Sequence, residues 1–286
     1  MRLGRLMILT MPLLMAAVVT TRGQETPAMA STNLILDIPY YPAGQPGLTP
    51  YQKERCVLDV YAPQRTNDSP VLLWFHGGGL SGGSKGVPAG LKNKGMIVVS
   101  PNYRLSPQVQ CPAYLEDAAA AVAWTFNHIG EYGGSTNKIV ISGHSAGGYL
   151  ALMLGLDKKW LAVHGIDPDR FAGIAPLSGQ CITHLTIRKE QGIDIKQPVV
   201  DAFAPLFHVR GNAPPILLLT GDREKEMVGR YEENAYLARM LKLNGHPDVT
   251  LYEFQGYGHG MLEPGIPLLA AFVKRVGAGG AGDDKR

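Results

Sequence analysis

The sequence predicts an α/β protein: a mostly parallel, eight-stranded sheet with helices on both faces and a small loop or cap insertion. Three observations carry this. From Val71 onward, short runs rich in Val, Ile and Leu alternate with longer helix-like stretches, the pattern of repeated strand–helix–strand units. Several of those runs are apolar throughout, as suits strands covered on both faces. The chain has 286 residues, 45% hydrophobic and 18% charged, enough to bury a large core and too apolar for disorder.

Strands are expected at residues 34–38, 56–61, 71–75, 96–100, 138–142, 171–177, 216–220 and 249–254. The first two have no helix between them and are expected to form an antiparallel edge. Helices are expected at 112–128, where Pro112 sits at the start of an Ala-rich run, and at 146–156, 231–243 and 267–276. The stretch 180–212 has no assignment and reads as a lid or binding loop.

Both ends have other signatures. Arg2 and Arg5 precede an apolar run over 6–19, interrupted only by Thr10 and Pro12, and small residues follow. Residues 1–23 therefore read as a secretory signal, with cleavage after Gly23 or as late as Ala30. The run is shorter than the roughly 18 residues a membrane span needs, so no span is expected in the mature chain, which would be exported to the periplasm or outside. The folded domain is expected over 31–276, with a Gly-rich, charged and disordered tail over 277–286. The net charge of +3 comes from Arg2, Arg5 and Arg22, so cleavage after Gly23 leaves a neutral chain. No basic stripe interleaved with aromatics is present, and no nucleic-acid partner is expected. Cys56, Cys111 and Cys181 are odd in number and match no zinc spacing. At most one disulfide can form among them, and no metal is expected.

Gly143-His144-Ser145-Ala146-Gly147 fits G-x-S-x-G, which places a serine on a tight strand-to-helix turn. Gly82-Gly83-Ser84-Lys85-Gly86 fits it too. Context separates them: Ser145 follows a β-branched strand and precedes a helical pattern, whereas Ser84 follows a glycine-rich loop and Pro88 comes soon after it. Ser145 is the expected nucleophile, and the Ala146 N–H would point at the reacting carbonyl oxygen. His76-Gly77-Gly78-Gly79 ends an apolar strand with three glycines, more than a turn requires. Gly78 and Gly79 are the leading oxyanion donors.

On these motifs, with Leu58-Asp59-Val60-Tyr61, Asn102-Tyr103-Arg104-Leu105-Ser106-Pro107 and Tyr132-Gly133-Gly134, the chain resembles an α/β-hydrolase of the hormone-sensitive-lipase-like and bacterial acetyl or feruloyl esterase group. The likeness runs over roughly residues 31–276. It implies Ser-His-acid catalysis without a cofactor, in the chain order nucleophile, acid, base. Of the eight histidines, only His246 and His259 follow the acid region. His246 reads as a helix C-terminus and His259 matches the family's terminal motif, so His259 is the expected base. The acid is expected after the strand at 216–220. Spacing within the family points to Glu224, with Asp222 as the alternative. Asp117 is read as structural. Leu80, His144 and Tyr149 flank the motifs and are expected to shape the pocket. Thr183, His184, Arg188 and Lys189 are read either as pocket lining or as a charged exposed loop.

The resemblance implies an exported serine carboxylic-ester hydrolase acting on a small-molecule or carbohydrate ester, such as acetyl or feruloyl groups on polysaccharide. An arylformamidase or other amide hydrolase would use the same triad. A catalytically inactive hydrolase-fold binding protein is the reading from another class, and intact Ser145, His259 and the glycine motif speak against it.

Overall fold

The computed structural model describes residues 33–63, 67–227 and 229–279. The expected signal segment and all but the start of the expected tail lie outside these residues. Eight strands form one sheet: β1 (Asn33–Pro39), β2 (Val57–Ala62), β3 (Ser69–Phe75), β4 (Ile97–Pro101), β5 (Gly134–His144), β6 (Gly173–Leu177), β7 (Ile216–Gly221) and β8 (Val249–Phe254). Their spatial order is β1-β2-β4-β3-β5-β6-β7-β8. The β1–β2 and β2–β4 pairs are antiparallel, and every other pair is parallel.

The continuous apolar runs serve two cores. On β3, Val71, Leu73 and Phe75 face one cluster, while Leu72 and Trp74 face the other. Side chains alternate across a strand, so a strand covered on both faces needs apolar residues at every position. The first cluster is closed by α2 (Ala113–His128), α3 (Ala146–Leu156) and α6 (Arg230–Leu243), and the second by α7 (Leu262–Gly277).

Three short helices were not anticipated: α1 (Pro50–Arg55), α4 (Lys159–Ala162) and α5 (Leu185–Glu190). The start of α1 was written in the sequence. Thr49 Oγ1 accepts from Gln52 N at 3.1 Å, Gln52 Oε1 accepts from Thr49 N at 3.2 Å, and Pro50 occupies the first turn, a capping box. Helix α7 begins at Leu262, before the expected start at 267, and takes in Gly277 from the expected tail. Pro267 falls inside it, where it forfeits one intrahelical bond. Cys56, Cys111 and Cys181 are free thiols.

The parallel strands set the site. β3 and β5 pair with Phe75 opposite Gly143, and β5 and β6 pair with His144 opposite Leu177. The segments leaving β3, β5 and β6 are thus neighbours at the C-terminal edge, where the chain order reverses and where such sheets bind ligands.

Candidate active site

Ser145 sits between the last residue of β5 and the first of α3, with φ 57° and ψ −117°. A non-glycine residue at such angles is strained and is held only by its surroundings. Here Ser145 N donates to Leu177 O at 2.8 Å. The flanking glycines permit the crossing: a Cβ on Gly147 would stand 2.1 Å from Phe75 O, and one on Gly143 2.6 Å from the same atom. Ser84 lies exposed on a loop between β3 and β4, with no α-helix between it and β4.

The segment after β3 folds back on itself. Gly78 O accepts from Ser81 N and Gly82 N. Gly78 has φ +110°, and a Cβ there would lie 2.3 Å from Gly82 O, so only glycine fits. Among the described residues, the N–H groups of Gly78, Gly79 and Ala146 donate to no partner. They are available at the elbow, as an oxyanion pocket requires.

The loop is held from behind. Arg55 donates through Nε to Tyr103 O at 3.0 Å and through Nη2 to Gly83 O at 2.6 Å, and its Nη2 lies 3.4 Å from His76 Nε2. His76 stacks on Tyr103 with ring centroids 4.3 Å apart, and the Tyr103 hydroxyl donates to His76 O at 2.8 Å. Burial, and to a lesser extent Arg55, lower the His76 pKa to about 4 despite the hydrogen bond to Gly77. The neutral ring therefore receives Arg55 at Nε2 and donates from Nδ1 to Gly77 O at 2.7 Å.

His259 follows β8 on a loop. Its Nδ1 lies 2.6 Å from Oε1 of Glu226, whose side chain is fully buried. Glu226, and not Glu224 or Asp222, meets the histidine. Asp222 instead accepts from Glu224 N at 2.9 Å and Gly256 N at 2.8 Å, which locks the two loops together. Glu226 N donates to Asp222 O at 2.8 Å, so the chain makes one helical turn after β7. That turn carries Glu224 out to solvent and returns Glu226 to the strand end. Glu226 Oε2 accepts from Gly221 N at 3.1 Å and Ser178 Oγ at 2.5 Å, and Oε1 accepts from Met227 N at 2.8 Å. Burial alone would raise the Glu226 pKa. The hydrogen bonds from His259, Ser178 and Met227 outweigh it and hold the carboxyl at about 2. The only hint of this choice in the sequence was that three acids crowd one loop.

A carboxylate at Nδ1 assigns the proton to that nitrogen and leaves Nε2 as acceptor. The His144 ring lies 4.8 Å from the His259 ring, and its Nε2 donates to His259 O at 2.8 Å. The residue before Ser145 thus pins the backbone of His259. Leu80 and Tyr149, expected to shape the pocket, lie beneath the surface. Both are fully buried in the core, with Tyr149 bonded to Phe203 O at 2.8 Å. Thr183, His184 and Arg188 are buried as well, and only Lys189 is exposed. Asp117 has the structural place expected of it: it takes both Nε and Nη2 of Arg104, at 2.7 and 2.8 Å, and the Tyr41 hydroxyl at 2.8 Å.

The chain is similar to several known esterases. It is 28% identical over 229 residues to Esterase LipC of Mycobacterium tuberculosis, covering 71% of this chain and 56% of that one. It is 29% identical over 207 residues to the probable carboxylic ester hydrolase LipM of the same organism, covering 64% and 48%. It spans about half the length of these relatives. Among solved structures, a truncated carbohydrate esterase from gut microbiota superposes with TM-score 0.71 at 18% identity, covering 88% of this chain and 99% of that one. The propionate-bound esterase Est2 of Thermogutta terrifontis superposes with TM-score 0.62 at 23% identity, covering 77% and 90%. These likenesses show a shared α/β-hydrolase fold. The BD-FAE family matches residues 58–204, just over half of the sequence and inclusive of the glycine loop and the elbow, and the chain belongs to that family.

Proposed function

We propose that the protein is a serine carboxylic-ester hydrolase working through an acyl-enzyme. The observation that carries this is the buried Glu226 carboxylate on His259 Nδ1, with His144, the residue before Ser145, bonded to the same histidine. A protein that only bound ligands would need neither the strained serine nor the paired histidine.

Ser145 Oγ attacks the ester carbonyl carbon and gives its proton to His259 Nε2. The tetrahedral oxyanion accepts from the N–H groups of Gly78, Gly79 and Ala146, each such donor contributing about 3 kcal/mol. Glu226 stabilises the imidazolium that forms. The intermediate collapses, the carbonyl–alkoxy bond breaks, and His259 returns the proton to the departing alcohol. Water then attacks the acyl-enzyme, losing a proton to His259; the bond from the acyl carbon to Ser145 Oγ breaks, His259 returns that proton to Oγ, and the free acid departs.

The substrate proposed is a small acyl ester on a carbohydrate, acted on after export. The Arg-led apolar N-terminus supports export, and likeness to a carbohydrate esterase supports the substrate class. The test is hydrolysis of 4-nitrophenyl acetate and of acetylated and feruloylated xylan by the wild type and by Ser145→Ala. Wild-type turnover that disappears in the variant is the expected result. Equal inertness of both proteins toward all three would overturn the reading.

A further inference from the structure

Beside the acid loop, the 180–198 segment and the start of α6 enclose a cavity of about 570 Å³. Its wall includes Ile182, Leu185, Ile195 and Met227, and it also holds two arginines, Arg188 and Arg230. These are only 3% and 2% exposed. Long cationic side chains are almost never buried so deeply unless paired. Yet among the described residues neither guanidinium makes an ion pair with a carboxylate, and the Nε of each has no hydrogen-bond partner. Arg188 Nη1 donates to Ile195 O and Gln197 O, and Arg230 Nη1 to Ser178 O, all neutral carbonyls.

Of the acids near them, Glu233 feels the charge of both guanidiniums but touches neither. Glu233 accepts from Cys181 N at 2.9 Å and Ile182 N at 3.5 Å, and Glu232 is exposed. With Lys196 also in the wall, three cations face two acids. His184 beside them is kept neutral by burial first and then by the two guanidiniums. The cavity also abuts the catalytic parts. The Ser178 carbonyl that receives Arg230 belongs to the residue whose hydroxyl holds Glu226. Thr186 on α5 donates to Gly79 O on the oxyanion loop.

We propose that this cavity is an anion subsite, and that the ester the enzyme prefers carries a carboxylate on an otherwise apolar acyl or alcohol group. The inference rests on the hydrolase reading above. A carboxylate there gives the two buried guanidiniums the direct contact that Glu233, near but not touching, does not make, as a charge-assisted and partly bidentate pair. The apolar wall takes the carbon chain.

Four esters test it. Mono-4-nitrophenyl glutarate against 4-nitrophenyl hexanoate probes the acyl side, and 3-carboxyphenyl acetate against 3-methylphenyl acetate probes the alcohol side. The wild type is expected to favour one carboxylate ester over its neutral counterpart in kcat/KM, and the pair showing it identifies the side. Arg188→Met is expected to lower that preference about tenfold or more, the effect of losing a buried charged contact, and Arg188→Lys to restore part of it. Should Arg188→Met not fold, Ile195→Trp narrows the cavity without removing a guanidinium and is expected to lower the same ratio. If the wild type turns over the neutral esters with no preference in either pair, or if the folded variants keep the preference within twofold, the anion subsite is wrong and the hydrolase reading stands. If none of the four esters is hydrolysed while 4-nitrophenyl acetate is, the anion subsite is wrong and the hydrolase reading stands; inertness toward 4-nitrophenyl acetate and the xylan esters as well overturns both.

Discussion

Glu226 Oε1 and His259 Nδ1 stand 2.6 Å apart across 33 positions of sequence, with the carboxylate side chain wholly buried. Glu224, two residues earlier, faces solvent. Glu226→Gln keeps the shape but supplies an amide where the imidazolium needs a charge. It is expected to lower kcat by about 10³-fold, while Glu224→Gln stays within about twofold. Steady-state kinetics on 4-nitrophenyl acetate checks both, and a crippled Glu224→Gln beside a healthy Glu226→Gln would reverse the assignment.

The same carboxylate makes stability depend on pH. Its folded pKa, about 2, lies below the ordinary 4.5. A depressed carboxyl pKa stabilises the fold fully above the ordinary value and loses that contribution as pH falls toward the folded one. Between pH 4.5 and about 2 the wild type should lose up to about 3 kcal/mol through this group. Melting curves over that range should fall more steeply for the wild type than for Glu226→Gln, and parallel curves would show that Glu226 does not carry the effect.

Glycine positions separate close packing from freedom. Gly147→Ala would drive a Cβ to 2.1 Å from Phe75 O, where backbone meets backbone and neither can yield. Loss of soluble protein, or destabilisation beyond about 3 kcal/mol, is expected. Gly86→Ala meets nothing within 4 Å and has no positive φ, so its denaturation midpoint should match the wild type. Similar midpoints for the two variants would contradict the elbow crossing.

Asp117 tests structure without chemistry. It is fully buried and receives Arg104 Nε and Nη2 as well as Arg104 N. Asp117→Ala strands the Arg104 guanidinium and should cost about 3–5 kcal/mol in urea denaturation. At temperatures where the variant remains folded, kcat should stay within a few fold of the wild type.

Arg55 acts through the oxyanion loop, not on the substrate, holding Tyr103 O, Gly83 O and His76 together. Arg55→Met should lower kcat about tenfold or more with little change in KM, because the donors it positions act in the transition state. A change confined to KM would place Arg55 in substrate binding instead.

Much of this was legible before folding. The strand at β5, the turn at Ser145 and the helix α3 are contiguous in sequence, so the elbow is written in one short string. The glycine loop after β3 is equally local, and alternating strands and helices announced the parallel sheet. Short helices escaped notice: α4 and α5 are too brief for a 3.6-residue period to show. Leu80 and Tyr149 were expected to shape the pocket because they flank the motifs; their full burial in the core follows from packing that no short string records.

By itself, then, the sequence determined the sheet, the elbow serine, the glycine loop and the loop histidine, because each depends on residue types within a few positions of one another. Tertiary structure decided which of three acids meets His259. It also decided that Arg188 and Arg230 line one cavity with no carboxylate among the described residues in contact with either. Those outcomes depend on a turn locked by Asp222 to Gly256 on another loop and on the packing of the 180–198 segment against α6. Contacts between segments so far apart leave no local pattern in the chain.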